Sequence, residues 1–277
     1  MSDFFELEIF SAISEDIIEF SKYIKSNPEL QVEISGPPSI SGIIGLAFIE
    51  SALIELDYRY SRSFHENIEQ DENRLCIQIG KEVKMFNPIT VNLHMGHDER
   101  ERTGVLDTVA QVGALSLTLN PGGRTSNLEP WLLSGSWLRS TLDMVYNPVY
   151  TSLRDYLRSG GVVSVVCMPE VPELDGLSIP EIDVELLANI RKNWSKSDGK
   201  TKAKLMDALA APLITKGIFS VQRIEELCWN RILKDGWRLD LASQCAMASR
   251  ELSSSENRQL SASRMLDGLI LNGNLFD

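Results

Sequence analysis

A chain of 277 residues, 43% hydrophobic and 24% charged, has the composition of a soluble globular protein with one large or two small domains. No window reaches the roughly 18 apolar residues needed to span a bilayer, so no membrane-spanning helix is expected. The net charge of −12 also excludes tight wrapping of DNA by the chain as a whole, because neutralising phosphates supplies most non-specific affinity.

The charge is uneven. Residues 1–80 hold 15 acids against 5 bases, which accounts for −10 of the total. That excess reads either as a solvated face or as a docking face for a basic protein partner. Met1 to Phe10 is acidic and aromatic, with no basic n-region, so no secretory leader is expected. Cys76, Cys167, Cys228 and Cys245 are scattered, without metal-type spacing, and read as reduced core thiols of a cytoplasmic protein. The sequon Asn193-Trp194-Ser195 is then a chance match.

In chain order, Asp3 to Ser26 shows apolar positions at helical spacing, with Ser14-Glu15-Asp16 as an internal cap and Asn27-Pro28 as the stop. Leu30 to Ile34 is expected as a buried first strand. The loop SGPPSISG, Ser35 to Gly42, follows, and then a helix from Ser41 to Leu56 that is apolar on most faces. Tyr58 to Phe64, Leu75 to Gly80 and Thr90 to Leu93 are the next expected strands. Strand–helix–strand alternation of this kind predicts an α/β fold, a parallel sheet flanked by helices. Arg102 to Leu119 reads as a helix with small residues for close packing. Helices are also expected over Glu129 to Ser140 and Thr141 to Leu157, the latter interrupted near Asn147-Pro148, and a strand over Val162 to Cys167. The Pro- and acid-rich stretch Pro169 to Pro180 marks a boundary, giving an α/β domain over 1–170 and a helical C-terminal region over 171–277. Within the latter, helices are expected at Ile182–Trp194, Lys202–Leu213, Ser220–Leu233, Asp240–Arg250 and near Leu260–Leu271.

The loop after the first strand of an α/β protein usually carries the chemistry, because the strand's carboxyl end meets the helix's amino end there. Here it contains no Asp, Glu, His, Lys or Cys. It is not a P-loop, since there is no Gly-Lys-Ser/Thr. Its serines and amides either hold an anion or simply turn the chain. The cluster His94-Met95-Gly96-His97-Asp98-Glu99 offers two readings. His94 and His97 suit a transition metal, with Asp98 as ligand or supporting carboxylate; alternatively, the stretch is a polar loop at a strand end. No Gly-x-Ser-x-Gly elbow is present, and the single acids Asp57, Asp107 and Asp143 read as caps or surface residues. Arg191, Lys192, Lys196, Lys200, Lys202 and Lys204 form a basic run around Trp194. It is either a nucleic-acid surface, with phosphates on Arg191, Lys192 and Lys196 and a base on the indole, or a solvated helix end. Trp131, Trp137, Trp229 and Trp237 read as core.

The order of elements resembles the DHH phosphoesterase superfamily, in particular archaeal RecJ-like proteins, over residues 1–170. Active members carry roughly Asp-x-Asp-Gly-x-x-Ser-Gly in the first loop. Ser41-Gly42 matches the closing pair, while Ser35 and Pro37 stand where the aspartates belong and Pro38 stands for the inner glycine. Gly80 stands where the next strand normally ends in an aspartate. Val91-Asn92-Leu93-His94 resembles the family's Val-Asn-Pro-His segment, but KEVKMFNP upstream lacks the Asp-His-His signature, and Asp143 is a remnant out of register. The resemblance implies a vestigial loop at Ser35, Pro37, Ser41 and Gly42, no catalytic residues and no cofactor. It further implies a replication scaffold joining GINS and the MCM helicase, with single-stranded DNA as a further contact. The alternative is a metal-dependent phosphoesterase with an unusual site at His94, His97 and Asp98.

Overall fold

Helix α2 (Ile40–Glu55) lies at the centre of the molecule, and its sequence says why. Apart from Ser41, every residue from Ile40 to Leu53 is buried, so the helix has no solvent face to reserve for polar side chains. The protein is described by a computed structural model that covers residues 4, 7–65, 75–79, 82–95, 100–138, 147–174, 179, 182–217 and 219–276. Helix α1 (Ser14–Ser26) precedes strand β1 (Val32–Gly36), which leads into α2; β2 (Tyr60–Phe64), β3 (Leu75–Ile79) and β4 (Glu82–Phe86) complete a sheet of order β2-β1-β3-β4.

The fold is mixed α/β, but the sheet is not the parallel one expected. Only β1 and β2 run parallel, in register Val32 to Tyr60 through Gly36 to Phe64. Strand β3 is antiparallel to β1 (Ile34 opposite Ile77), and β4 is antiparallel to β3 (Leu75 opposite Phe86). Connection length explains the difference. A parallel pair needs a crossover of about a dozen residues or more, which α2 supplies between β1 and β2. Ten residues separate β2 from β3, and Gly80-Lys81 alone separates β3 from β4, the length of a tight hairpin.

The sheet is covered on one face. Val32, Ile34, Leu75, Ile77 and Ile79 are buried toward the helices, while Glu33 is exposed and Ser35, Cys76 and Gln78 are only half-buried on the other side. Alternation of this kind belongs to a sheet with one wet face, whereas a parallel sheet flanked by helices is buried on both.

A separate ribbon pairs β5 (Ile89–Met95) with β6 (Arg100–Leu106), Ile89 opposite Leu106 and Met95 opposite Arg100. The helix expected from Arg102 therefore begins later. Arg102 to Leu106 is strand, its Thr103 and Val105 being β-branched, and Asp107 caps α3 (Thr108–Leu119) through its carboxylate and the Ala110 amide, 3.0 Å. Short helices α4 (Gly123–Asn127) and α5 (Ser134–Leu138) flank a 3-10 turn at Glu129–Leu133. Helix α6 (Pro148–Ser159) starts with Pro at N1 behind an Asn147 cap, and β7 (Ser164–Val166) follows.

The C-terminal stretch contains α7 (Val184–Trp194), α8 (Gly199–Lys216), α9 (Val221–Cys228), α10 (Leu241–Ser254) and α11 (Arg258–Asn272). It is not helical throughout. The helix expected over Ser220–Leu233 ends at Cys228, and Arg231–Leu233 forms β8, which pairs antiparallel with β7. Hydrophobic packing is continuous from Phe4 to Leu275. Helix α11 lies against α2, and Trp131 Nε1 donates to the Gly273 carbonyl at 3.0 Å. Arg231 and Asp240 form an ion pair with both side chains fully buried, and Asp240 also caps α10. Cys228 and Cys245 are buried free thiols, and Cys76 and Cys167 are half-buried ones. Among the described residues, no helix is long and apolar enough to cross a membrane.

Candidate functional site

The turn between β1 and α2 is closed by its own backbone. Ser39 caps α2 by accepting from the Gly42 amide at 3.2 Å. A Cβ on Gly42 would lie 2.1 Å from the Pro37 carbonyl oxygen, so only glycine permits this approach. Pro37 and Pro38 are buried, and Ser41 is half-buried. The Leu75 side chain rests on Gly36 and Gly45, 3.1 Å and 3.0 Å from where their Cβ atoms would be. The turn joins the end of β1 at Gly36 to the start of α2 at Ile40. Its interior is filled by proline rings and a leucine.

Ser35 faces the wet side of the sheet, between Ser63 on β2 and Cys76 on β3. Ser63 Oγ lies 3.0 Å from His65 Nε2, in an exposed position. This row presents hydroxyls, an imidazole and a thiol, which can hydrogen-bond a polar surface. Among the described residues, no three of His, Cys, Asp and Glu come together as a metal-ligand group.

His94 projects from β5 and is tied to the N-terminal 3-10 turn at Glu8–Phe10. Its Nδ1 is 2.8 Å from Glu8 Oε1, and its amide donates to Glu8 Oε2 at 3.1 Å. The hydrogen bond from the imidazole holds the Glu8 carboxyl below its usual pKa. His97, Asp98, Gly80 and Asp143 lie outside the described residues. Asp107 is buried, with one oxygen on the Ala110 amide and the other accepting from Ser136 Oγ at 2.8 Å. Its carboxylate packs on Gly135, where a Cβ would come within 1.9 Å of Oδ1. Asp57 has φ 58° where the chain leaves α2.

A charged cluster running from the buried Glu50 to the exposed Asp267 was not legible in the sequence. Glu50 sits in the apolar helix α2 at 5% exposure. It accepts from Tyr60 Oη at 2.9 Å and from Arg62 Nη1 at 2.9 Å. Arg62 continues to Asp267 at 2.9 Å and to Ser263 Oγ at 2.7 Å on α11. Burial raises the Glu50 pKa against the opposing pull of Arg62 and Tyr60, and the Tyr60 phenol is pushed up to about 12, chiefly by burial. The one signal available was a Glu in the middle of a helix whose neighbouring positions are almost all apolar. A second missed feature is a cleft of about 270 Å³ beside α9 and α10, lined by Trp137, Phe219, Arg223, Leu227 and Cys245. Arg223 donates to the Trp137 carbonyl at 3.0 Å, and its guanidinium carbon lies 4.6 Å from the Trp137 ring centroid.

The basic run divides by role. Trp194 is buried, its Nε1 donates to Glu170 at 2.8 Å, and the Lys202 ammonium lies 4.8 Å from its ring centroid. The indole, which the nucleic-acid reading would stack on a base, is instead an anchor for α7. Arg191 donates to the carbonyls of Val171 and Pro172 and so serves the same attachment. Lys192 and Lys196, by contrast, are exposed. Trp131, Trp137 and Trp237 are core residues, and Trp229 is half-buried against the core.

No protein-family model matches the chain, and no curated protein matches its sequence.

Proposed function

We propose that the protein is a non-catalytic, RecJ-like member of the DHH superfamily that acts as a replication scaffold with GINS and the MCM helicase. The observation that carries this reading is the β1–α2 turn. Active members of the family that the chain resembles carry aspartates at this junction, where they would hold the metal ions that assist hydrolysis. Ser35 offers a hydroxyl there and Pro37 a buried ring, and the turn is packed against Leu75. The β1–α2–β2 unit, with its one parallel pair, is the part of the sheet that supports the family reading. The antiparallel β3 and β4 depart from the parallel sheet that the reading implies. A turn kept for architecture and emptied of acids leaves the surface as the working part.

Two measurements test this. Purified protein is incubated with Mn²⁺ and single-stranded DNA or a dinucleotide, and no turnover is expected. Turnover that disappears in His97→Ala overturns the scaffold reading in favour of a phosphoesterase with an unusual site. GINS subunits are then passed over immobilised protein, and retention at low and moderate salt is expected; a failure to retain them removes the replisome assignment.

A further inference from the structure

The corner between α7 and α8 reverses the charge of the rest of the molecule. Residues 191–204 carry six basic side chains and one acid, a local +5, while the remaining residues sum to −17. Lys192, Lys196, Lys200 and Lys204 are all exposed. Among the described residues none of these four ammonium groups has an ion-pair or hydrogen-bond partner. The only acid in the run, Asp198, is engaged in capping α8 through the Thr201 amide at 2.7 Å. Lys200 and Lys204 are one turn apart on α8, which puts their Cβ atoms about 5–6 Å from each other on one face.

The corner is also firmly mounted. Trp194 is clamped between Glu170 and Lys202, and Arg191 is bound to the 171–172 carbonyls, so α7 and the start of α8 are fixed to the body of the protein. The lysines therefore present charge from a rigid base, which reduces the ordering cost of binding to their own side chains.

We propose that this corner docks an acidic segment of a partner protein. The chemistry favours that occupant over nucleic acid. A single strand is held by charge together with exposed aromatic rings, and the one ring in the run is buried. The free groups are lysines, point charges without the bidentate fork or stacking plane of arginine. A long polyanion also meets the repulsion of a body carrying −17, whereas a short acidic segment covers only the patch. This inference needs only the charge and exposure of the corner and stands apart from the family reading above.

The test uses the full chain and three fluorescein-labelled probes: a Glu-rich peptide, a Lys-rich peptide of equal length and an oligo(dT). Anisotropy is expected to show binding of the Glu-rich peptide, weakening as salt is raised, and none of the oligo(dT); binding of the Lys-rich peptide to the acidic body is expected to be unaffected by replacing the corner lysines. Replacing Lys192, Lys196, Lys200 and Lys204 together by Gln is expected to weaken binding roughly tenfold, the order that four exposed ion pairs supply. The corresponding Arg replacements are expected to retain it. Helical circular dichroism and the melting midpoint are expected to stay close to wild-type values in both variants, since the four side chains are exposed and, among the described residues, make no hydrogen bond or ion pair. The proposal is overturned if the Glu-rich peptide does not bind at low salt, or if it binds the Gln variant as it binds the wild type. It is also overturned if oligo(dT) binds more tightly than the Glu-rich peptide, which would make the corner a nucleic-acid surface.

Discussion

Two short turns open two helices with the same capping chemistry and opposite surroundings. At β1–α2, Ser39 accepts from Gly42; at α7–α8, Asp198 accepts from Thr201. The first turn is buried under Leu75 and closed by Pro37, while the second is exposed and ringed with lysines. The difference shows where a turn can carry function. Packing dictates Gly36, Pro37, Pro38 and Gly42 in the first, so these residues answer to the core. In the second, only the cap and the Trp194 anchor answer to the fold, and the remaining side chains face whatever approaches.

Glycine substitutions contrast the two turns most directly. Gly42→Ala is expected to cost about 3 kcal/mol, at the upper end for overpacking, because its Cβ would meet a backbone carbonyl that cannot move aside. Gly199→Ala is expected to be neutral or to stabilise by about 0.5 kcal/mol, since nothing lies within 4 Å of its Cβ and alanine restricts the unfolded chain. Urea unfolding of both variants reads the difference, and equal losses would erase the contrast.

Glu50→Ala is expected to cost about 2 kcal/mol. It leaves Arg62 partly buried, though still paired with Asp267. The pH dependence has a definite sign. Burial raises the Glu50 pKa above its unfolded value, so its contribution is most favourable below about pH 4.5 and declines as pH rises through the raised value. Glu50→Gln is expected to remove that decline from the stability profile.

The caps give smaller effects. Ser39→Ala is expected to cost about 1 kcal/mol through the loss of one capping bond. Asp198 titrates in the opposite sense to Glu50. The bond from Thr201 lowers its pKa, so its stabilisation is present above about pH 3.8 and is lost as pH falls through the lowered value. Asp198→Asn is expected to abolish this acid-side loss in a melting series. The four-lysine Gln variant is expected to shift stability least, within about 0.5 kcal/mol, because exposed side chains without partners contribute little to folding.

The sequence by itself determined what neighbours in the chain decide. Apolar spacing marked α1, α2 and most of the C-terminal helices. The β1–α2 junction was legible because a short apolar strand, glycine and proline, and an apolar helix follow one another within a few residues. Tertiary structure alone decided the direction of β3 and β4, the open face of the sheet, the strand at Arg102, the burial of Trp194 and the joining of Glu50 through Arg62 to Asp267 on α11. Each of these depends on a partner far away in sequence. Periodicity records which face of an element is apolar, but not which element will cover it. The β1–α2 turn and the α7–α8 corner therefore look alike as polar loops in the chain, and only packing makes one an interior support and the other a surface.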